Sequence, residues 1–376
     1  MSARKLGSLL THFQVLQDPR LERSRLHNLL DIVAITICAV ICGADSWVDV
    51  QKYGQAKHDW LQRFLRLPNG IPSHDTFGRL FAALAPESFR DCFAAWVAEV
   101  AGLLGLKHVA IDGKTLRGSH DRGKGKAALH LISAWAVENH LTLAQEAVDG
   151  KSNEITAIPK LLELLDLNGA LVTIDAMGCQ KEIAEQIVEQ GGDYVLAVKE
   201  NQPTLYEEIE HLEEAALEDD YAGCSSCGKE EQSHGRQELR ACWVLTDLES
   251  LRERSKWPGL RSVIVVVRER TVGDKNTCEK HYYISSRELR AEQFLKAIRG
   301  HWGIENSLHW VLDVTFHEDG SRVRKDHGPE NFALLRRMAV SMLKAEGSKG
   351  SIRGKRLIAG WNNDFMEKIL LDFAEN

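Results

Sequence analysis

Proline is scarce: the chain has eight in 376 residues. With 44% hydrophobic and 27% charged residues, that is globular composition and excludes a disordered chain. Long apolar runs are also missing. The most apolar stretch, Leu29 to Cys42, spans 14 residues and is broken by Asp31 and Thr36. It is too short to cross a bilayer and suits a core helix, so no membrane association is expected. No signal-peptide pattern opens the sequence. The eight cysteines, at 38, 42, 92, 179, 224, 227, 242 and 278, lack the spacing of a secreted disulfide scaffold. A cytoplasmic chain with reduced thiols follows. Excess positive charge is absent as well. The net charge of −7 does not by itself point to nucleic acid, and the local distribution of charge carries more weight than the sum.

At this length two or three domains are expected rather than one. Nine tryptophans suggest wide aromatic packing or binding surfaces. Residues 1–105 form an N-terminal helical region. Apolar spacing from Leu26 to Val40 fits a buried helix, and Asp45-Ser46 starts another that runs to Leu65. LPNG at 67–70 is a turn, Ser73 is a good N-cap, and Pro86 begins a further helix through Val100. Short helices with tight turns fit a helix-turn-helix DNA reader and equally a helical cap over the next domain.

Residues 106–206 change character. Strands are expected at 108–112, 129–138, 141–149, 170–175 and 193–199, with helices at 156–165 and 181–190 and another after Pro203. Three meandering strands, then helix, strand, helix and strand, is the element order of a ribonuclease H-like α/β core with a mixed five-stranded sheet. In that fold the first and fourth strands are neighbours. Asp112 closes the first and Asp175 the fourth, so the two carboxylates would stand side by side.

Residues 207–290 form a β-rich insertion placed before the last catalytic helix. It opens with a helix that carries eight acidic residues and no lysine or arginine between 207 and 220. A Cys/Gly-rich loop, CSSCGKEEQSHG, precedes strands at 240–248, 262–272 and 280–286. Cys224 and Cys227, with His234 and Cys242 beyond, have some look of a zinc site. Only one CxxC is present and the later spacing is irregular, which favours free thiols.

Residues 291–376 complete the core and carry a basic segment. One helix is expected from Glu292 to Leu312, with His301, Glu305 and His309 on roughly one face. Gly300 and Gly303 are costly there and suggest a close approach by a sheet or a nucleic-acid backbone. Between 321 and 356, ten Lys/Arg stand against three Asp/Glu, so positive charge is concentrated late in the chain.

Two strand-borne aspartates and a helix-borne glutamate can hold two divalent ions, and oxygen ligands suit Mg²⁺ or Mn²⁺. Such a pair acts on phosphodiesters, with water as the entering group for hydrolysis or a DNA 3′-hydroxyl for strand transfer. A lone strand-end aspartate is more often a turn former, and a lone helical glutamate is more often solvated. His301 and His309 around Glu305 do not make the HExxH pattern, which favours phosphate contact or packing for them. Lys114 and Arg117 are placed to neutralise phosphate. Trp302 and Trp310 suit either the core or stacking on a base.

Four stretches carry a family resemblance: IDGKTLRGS at 111–119, TIDAMGCQ at 173–180, DYVLAVKENQP at 193–203 and RGHWGIENSLHWVLDVTFHEDGSRVR at 299–324. Nearly the whole chain resembles transposases of the ISAs1 insertion-sequence family, including the H-repeat-associated proteins found near Rhs elements. The resemblance implies a DDE transposase in which Asp112, Asp175 and Glu305 are catalytic and hold two Mg²⁺ or Mn²⁺ ions. It implies double-stranded DNA partners, namely terminal inverted repeats and target DNA, and a homo-oligomer assembled on them. Expected DNA contacts are Lys114, Arg117, Lys199, Arg299, His301, Trp302, Arg322, Arg324 and Lys325. Related transposases often carry a Tyr-x2-Arg-x3-Glu-x6-Lys pattern around the glutamate. Here the corresponding places hold Ile298, His301, Glu305 and Leu312, so that pattern is absent. A stand-alone metal-dependent endonuclease and a catalytically inactive DNA-binding remnant stay open as alternatives.

Overall fold

The computed structural model describes residues 9–371 apart from 121–122, 124, 126, 149–152, 234–235 and 274. The N-terminal helices are α1 (Leu29–Ile41), α2 (Trp47–Ala56), α3 (His58–Leu61), α4 (His74–Ala83) and α5 (Pro86–Leu104). Then come β1 (His108–Leu116), β2 (Leu129–Ala136), β3 (Leu141–Ala147), α6 (Glu154–Leu162), β4 (Leu171–Ile174), α7 (Lys181–Glu189), β5 (Asp193–Val198) and α8 (Pro203–Glu218). The insertion supplies β6 (Ser225–Ser233), β7 (Arg236–Leu245), β8 (Ser262–Val272) and β9 (Lys275–Ser285). The chain closes with α9 (Ala291–Ile304), a π turn (Glu305–His309), α10 (Trp310–Val314), α11 (Gly328–Ala345), α12 (Ile352–Trp361) and α13 (Asn363–Leu371).

The chain divides into two compact units. One comprises Met1–Gly105, Gly113–Asn153 and Ile304–Asn376; the other comprises Leu106–Asp112 and Glu154–Gly303. In the first, α1 is apolar almost all round and accordingly buried on every face. Its two polar side chains are satisfied locally. The Thr36 hydroxyl donates to the Ile32 carbonyl at 2.7 Å, and Asp31 accepts from the Leu67 amide at 3.2 Å, at the start of the expected LPNG turn. Ser46 and Ser73 cap α2 and α4 by accepting the amides of Asp49 and Thr76, each at 3.3 Å. Helix α11 is buried along nearly its whole length. Its Ser341 hydroxyl accepts the Thr142 amide of β3 at 3.0 Å. Its Asn331 side chain donates to the carbonyls of Phe81 and Leu84 at 2.8 and 2.9 Å, closing the C-terminal end of α4.

The strand order is β3-β2-β1-β4-β5-β9-β8-β7-β6. Its first five members, with β1/β4 and β4/β5 parallel and β2/β3 antiparallel, are the ribonuclease H-like core expected from element order. The insertion strands do not form a sheet of their own: β9 pairs antiparallel with β5 and continues the core sheet. The Cys/Gly-rich stretch expected to be a loop is largely β6, in register with β7 from Ser225↔Val244 to Ser233↔Arg236. Its polar composition is that of a solvated edge strand, which sequence alone does not separate from a loop. In the second unit, Phe294, Leu295 and Ile298 of α9 pack with Val195, Cys242, Ile264 and Val266 of the sheet. Among the described residues no helix is long and apolar enough to cross a membrane.

Replacing Asn331 by leucine keeps the side chain's approximate size but leaves the Phe81 and Leu84 carbonyls without their donor. Orphaned buried polar groups cost about 1–3 kcal/mol each. Urea unfolding of Asn331→Leu should show a loss of about 2–4 kcal/mol; an unchanged midpoint would contradict the assignment.

Candidate metal centre

Val109, Ala110 and Ile111 of β1 are at most 1% exposed, and Asp112 is the first half-buried residue after them. Leu171–Ile174 runs likewise into Asp175. The parallel register ends with Ile111↔Ile174. The two aspartates are therefore the next residues on adjacent strands, whose backbones lie about 4.8 Å apart. Asp175 leaves the strand as an N-cap. Its Oδ1 accepts the amides of Met177 and Gly178 at 3.1 and 3.3 Å. A Cβ at Gly178 would lie 2.3 Å from the Ile174 Cγ2, so this tight turn requires glycine. Burial pushes the Asp175 carboxyl above its ordinary pKa, and Glu154 adds to the shift; the two backbone donors and Lys199 pull the other way.

The continuous helix expected over 292–312 is interrupted. Glu305–His309 forms a π turn between α9 and α10. Such turns widen the helix by one residue, re-aim side chains and are frequent at functional sites. Glu305 Oε2 lies 3.6 Å from His309 Nδ1, with the glutamate exposed and the histidine buried. One ligand atom from each of Asp112, Glu305 and His309 falls within 4.8 Å of the others.

Two carboxylates and one imidazole form a donor set for a single divalent cation. The oxygens suit Mg²⁺ or Mn²⁺, and the nitrogen is better matched to Mn²⁺. Sequence spacing favoured packing or phosphate contact for His309, because histidines four residues either side of a glutamate are not the HExxH pattern; the structure instead groups it with Asp112 and Glu305. Asp175 is not among the three grouped residues.

His301 takes a different place. Its Nδ1 is 3.1 Å from the Thr173 hydroxyl, which is 2.9 Å from His108 Nε2. This chain joins α9, β4 and β1 within the second unit. Burial drives the His108 pKa down to about 4, with the neighbouring His301 and Lys296 adding to the effect. Gly303 has nothing within 4 Å of a Cβ position, so no close approach accounts for it.

The basic residues expected to contact DNA fall into distinct settings. The Lys114 side chain is 8% exposed, and its ammonium lies 2.7 Å from Asp313, 3.3 Å from Asp319 and 3.8 Å from Glu318. Asp319 also accepts the Arg117 amide at 3.2 Å, while the Arg117 side chain is exposed. Glu318 is fully buried and paired with Arg337 at 3.0 Å. These contacts tie the end of β1 to α10 and the segment after it. Arg299 grips Glu231 with both terminal nitrogens, at 2.8 and 3.0 Å, and with Lys229 and Arg240 holds that carboxylate down to about 2. Lys199, Arg322, Arg324 and Lys325 are exposed. Trp302 and Trp310 are exposed too, at 59% and 57%. Ile298 and Leu312, standing where related transposases carry tyrosine and lysine, are core residues. Cys224, Cys227 and Cys242 are free thiols outside the metal-holding group. His234 lies outside the described residues.

Two outcomes follow from these contacts. Lys114→Met leaves Asp313, Glu318 and Asp319 crowded without their shared cation. It should lower stability by about 2–4 kcal/mol, while Lys114→Arg loses less; equal urea midpoints for the Met variant and the native chain would contradict the network. The depressed His108 pKa means that the unfolded chain takes up this proton first. Stability should therefore hold above about pH 6.5 and fall as pH drops toward 4, by on the order of 3 kcal/mol from this group. Denaturation curves across that range, compared with His108→Gln, should show the variant lacking this part of the slope.

Comparison with known proteins bears on the same residues. A family model described as "Transposase DDE domain" matches residues 104–342, and one described as "DDE_Tnp_1-associated" matches 10–97. "Putative transposase YncI" of Escherichia coli O157:H7 is 40% identical over 375 residues, covering 98% of this chain and 96% of that one. "H repeat-associated putative transposase YhhI" of Escherichia coli K12 is 39% identical over 377 residues, covering 97% and 98%. "Inactive transposase YbfQ" of the same strain is 40% identical over 76 residues, 20% of this chain and 90% of that one.

Proposed function

Because the chain belongs to the transposase DDE domain family, with the H-repeat-associated sequences among its relatives, we propose that it is an insertion-sequence transposase that cuts the ends of its element and joins them to target DNA. The observation that carries this reading is the placement of the acidic residues. Asp112 and Asp175 come one residue past the last β1/β4 pair, and Glu305 is grouped with Asp112. In this account Asp112, Asp175 and Glu305 are the catalytic carboxylates and take two Mg²⁺ or Mn²⁺ ions. When bound, such ions activate an attacking oxygen and stabilise a leaving one at a phosphodiester.

The protein's own groups prepare the site. The Met177 and Gly178 amides fix the Asp175 carboxylate in place. His309 faces Glu305 across the π turn and orients it, besides offering a nitrogen ligand. The His301–Thr173–His108 chain holds α9 against β4 and β1 ahead of Glu305. The exposed Arg117, Lys199, Arg322, Arg324 and Lys325 hold phosphates, which gives affinity and salt dependence rather than sequence choice. Trp302, exposed one turn before Glu305, is placed to stack on an unpaired base. The ends are terminal inverted repeats, paired by a homo-oligomer in the cytoplasm.

The test is cleavage and joining of labelled DNA carrying the element's own ends, in Mg²⁺ or Mn²⁺. Asp112→Asn, Asp175→Asn and Glu305→Gln should each reduce both reactions by more than about 100-fold, beyond the loss usual for residues that only support a ligand. Nicking without joining would replace the transposase by an endonuclease. Binding of the ends without any cleavage would make the chain an inactive remnant.

A further inference from the structure

In the first unit, α2, α4 and the segment just before α11 border a cavity of about 590 Å³. That equals roughly twenty waters at liquid density, far more than a single-ion site needs. Arg79 on α4 and Arg322, Arg324 and Lys325 line it, facing the carboxylates of Asp45 and Asp75. Both carboxylates already have basic neighbours. Asp45 lies 2.9 Å from His317 and 3.9 Å from Arg356, and Asp75 lies 3.6 Å from His74. Among the described residues no carboxylate pairs with Arg79, Arg322, Arg324 or Lys325. Two of the guanidinium groups are oriented by backbone oxygens: Arg79 Nε donates to the Asp75 carbonyl at 3.1 Å, and Arg324 Nε to the Gly118 carbonyl at 3.0 Å. The cavity is thus a positive groove with pre-aimed donors.

The aromatic group in the groove argues against base recognition. Trp47 is stacked on Phe81, with centroids 5.1 Å apart, and meets Phe332 edge-on at 4.8 Å. Its half-buried ring is engaged on one face by Phe81 and at its edge by Phe332, which limits its use as a platform for an unstacked base. Spaced cations with fixed forks match a run of phosphates.

We infer that this groove holds the sugar-phosphate backbone of duplex DNA, as a site distinct from the residues of the metal centre. The inference rests on the transposase reading and extends it to Arg79 and the N-terminal helices. The groove takes one cation from the helical region and three from the late basic segment, so it is built only when both are folded. Its contacts are sequence-independent.

The test is fluorescence anisotropy of a labelled duplex bound by the full chain across a range of salt. The variants are Arg79→Gln, Arg322→Gln and Lys325→Gln, with Lys349→Gln as an exposed charge removed elsewhere in the same unit. Each groove variant should flatten the slope of log affinity against log salt by about 0.9 per lost phosphate contact. The loss should be the same for an end sequence and a scrambled one. Val48→Glu, which sets a negative charge at an exposed groove residue, should weaken binding without removing any cation. An Arg79→Gln slope no different from that of Lys349→Gln, with thermal midpoints equal to the native chain, would overturn the groove and leave the transposase reading standing. A native chain that binds no duplex even at low salt would overturn both.

Discussion

Carboxylates brought close together in a partly buried setting repel one another and lose hydration, and a cation is the natural remedy. That constraint begins with the parallel pairing of β1 and β4. Each strand carries a short apolar run that fills the sheet, and an aspartate follows each run just past Ile111↔Ile174, β1 itself continuing to Leu116. The pairing that buries the core therefore also sets Asp112 and Asp175 at neighbouring positions. Burial raises the Asp175 pKa, and Asp112 has Glu305 and His309 near enough to share an ion.

Much of the surrounding polar structure can be understood as support for that arrangement. Asp175 is held by two amides in a turn that only glycine at 178 permits. In the second unit, the His108–Thr173–His301 chain links two strands to α9. In the first, Lys114 gathers Asp313, Glu318 and Asp319 two residues beyond Asp112. These are buried or half-buried polar groups with partners, the kind whose loss is costly and whose presence fixes geometry.

The core strands were legible because continuous apolar runs between turn signals have few other solutions, and their order led to the ribonuclease H-like sheet. Asp112 and Asp175 were legible as the polar residues that end two of those runs. Glu305 drew its weight from the motif around it. The grouping of His309 with Asp112 was not legible, because the two lie nearly 200 residues apart in sequence. Strand β6 was hidden by the polar composition of an edge strand. The burial of Lys114 was hidden because its partners lie about 200 residues away in sequence, at Asp313 to Asp319. For the same reason the groove between Arg79 and Arg322–Lys325 required the fold.

The most direct test of the account is Mn²⁺ bound to the full chain and observed by electron spin-echo modulation, which detects a coordinated imidazole nitrogen. A bound ion with one nitrogen coupling is predicted, lost in His309→Gln and retained in His301→Gln, with binding weakened in Asp112→Asn and Glu305→Gln. A nitrogen coupling that survives His309→Gln, or Mn²⁺ affinity unchanged in Asp112→Asn, would contradict the proposed centre.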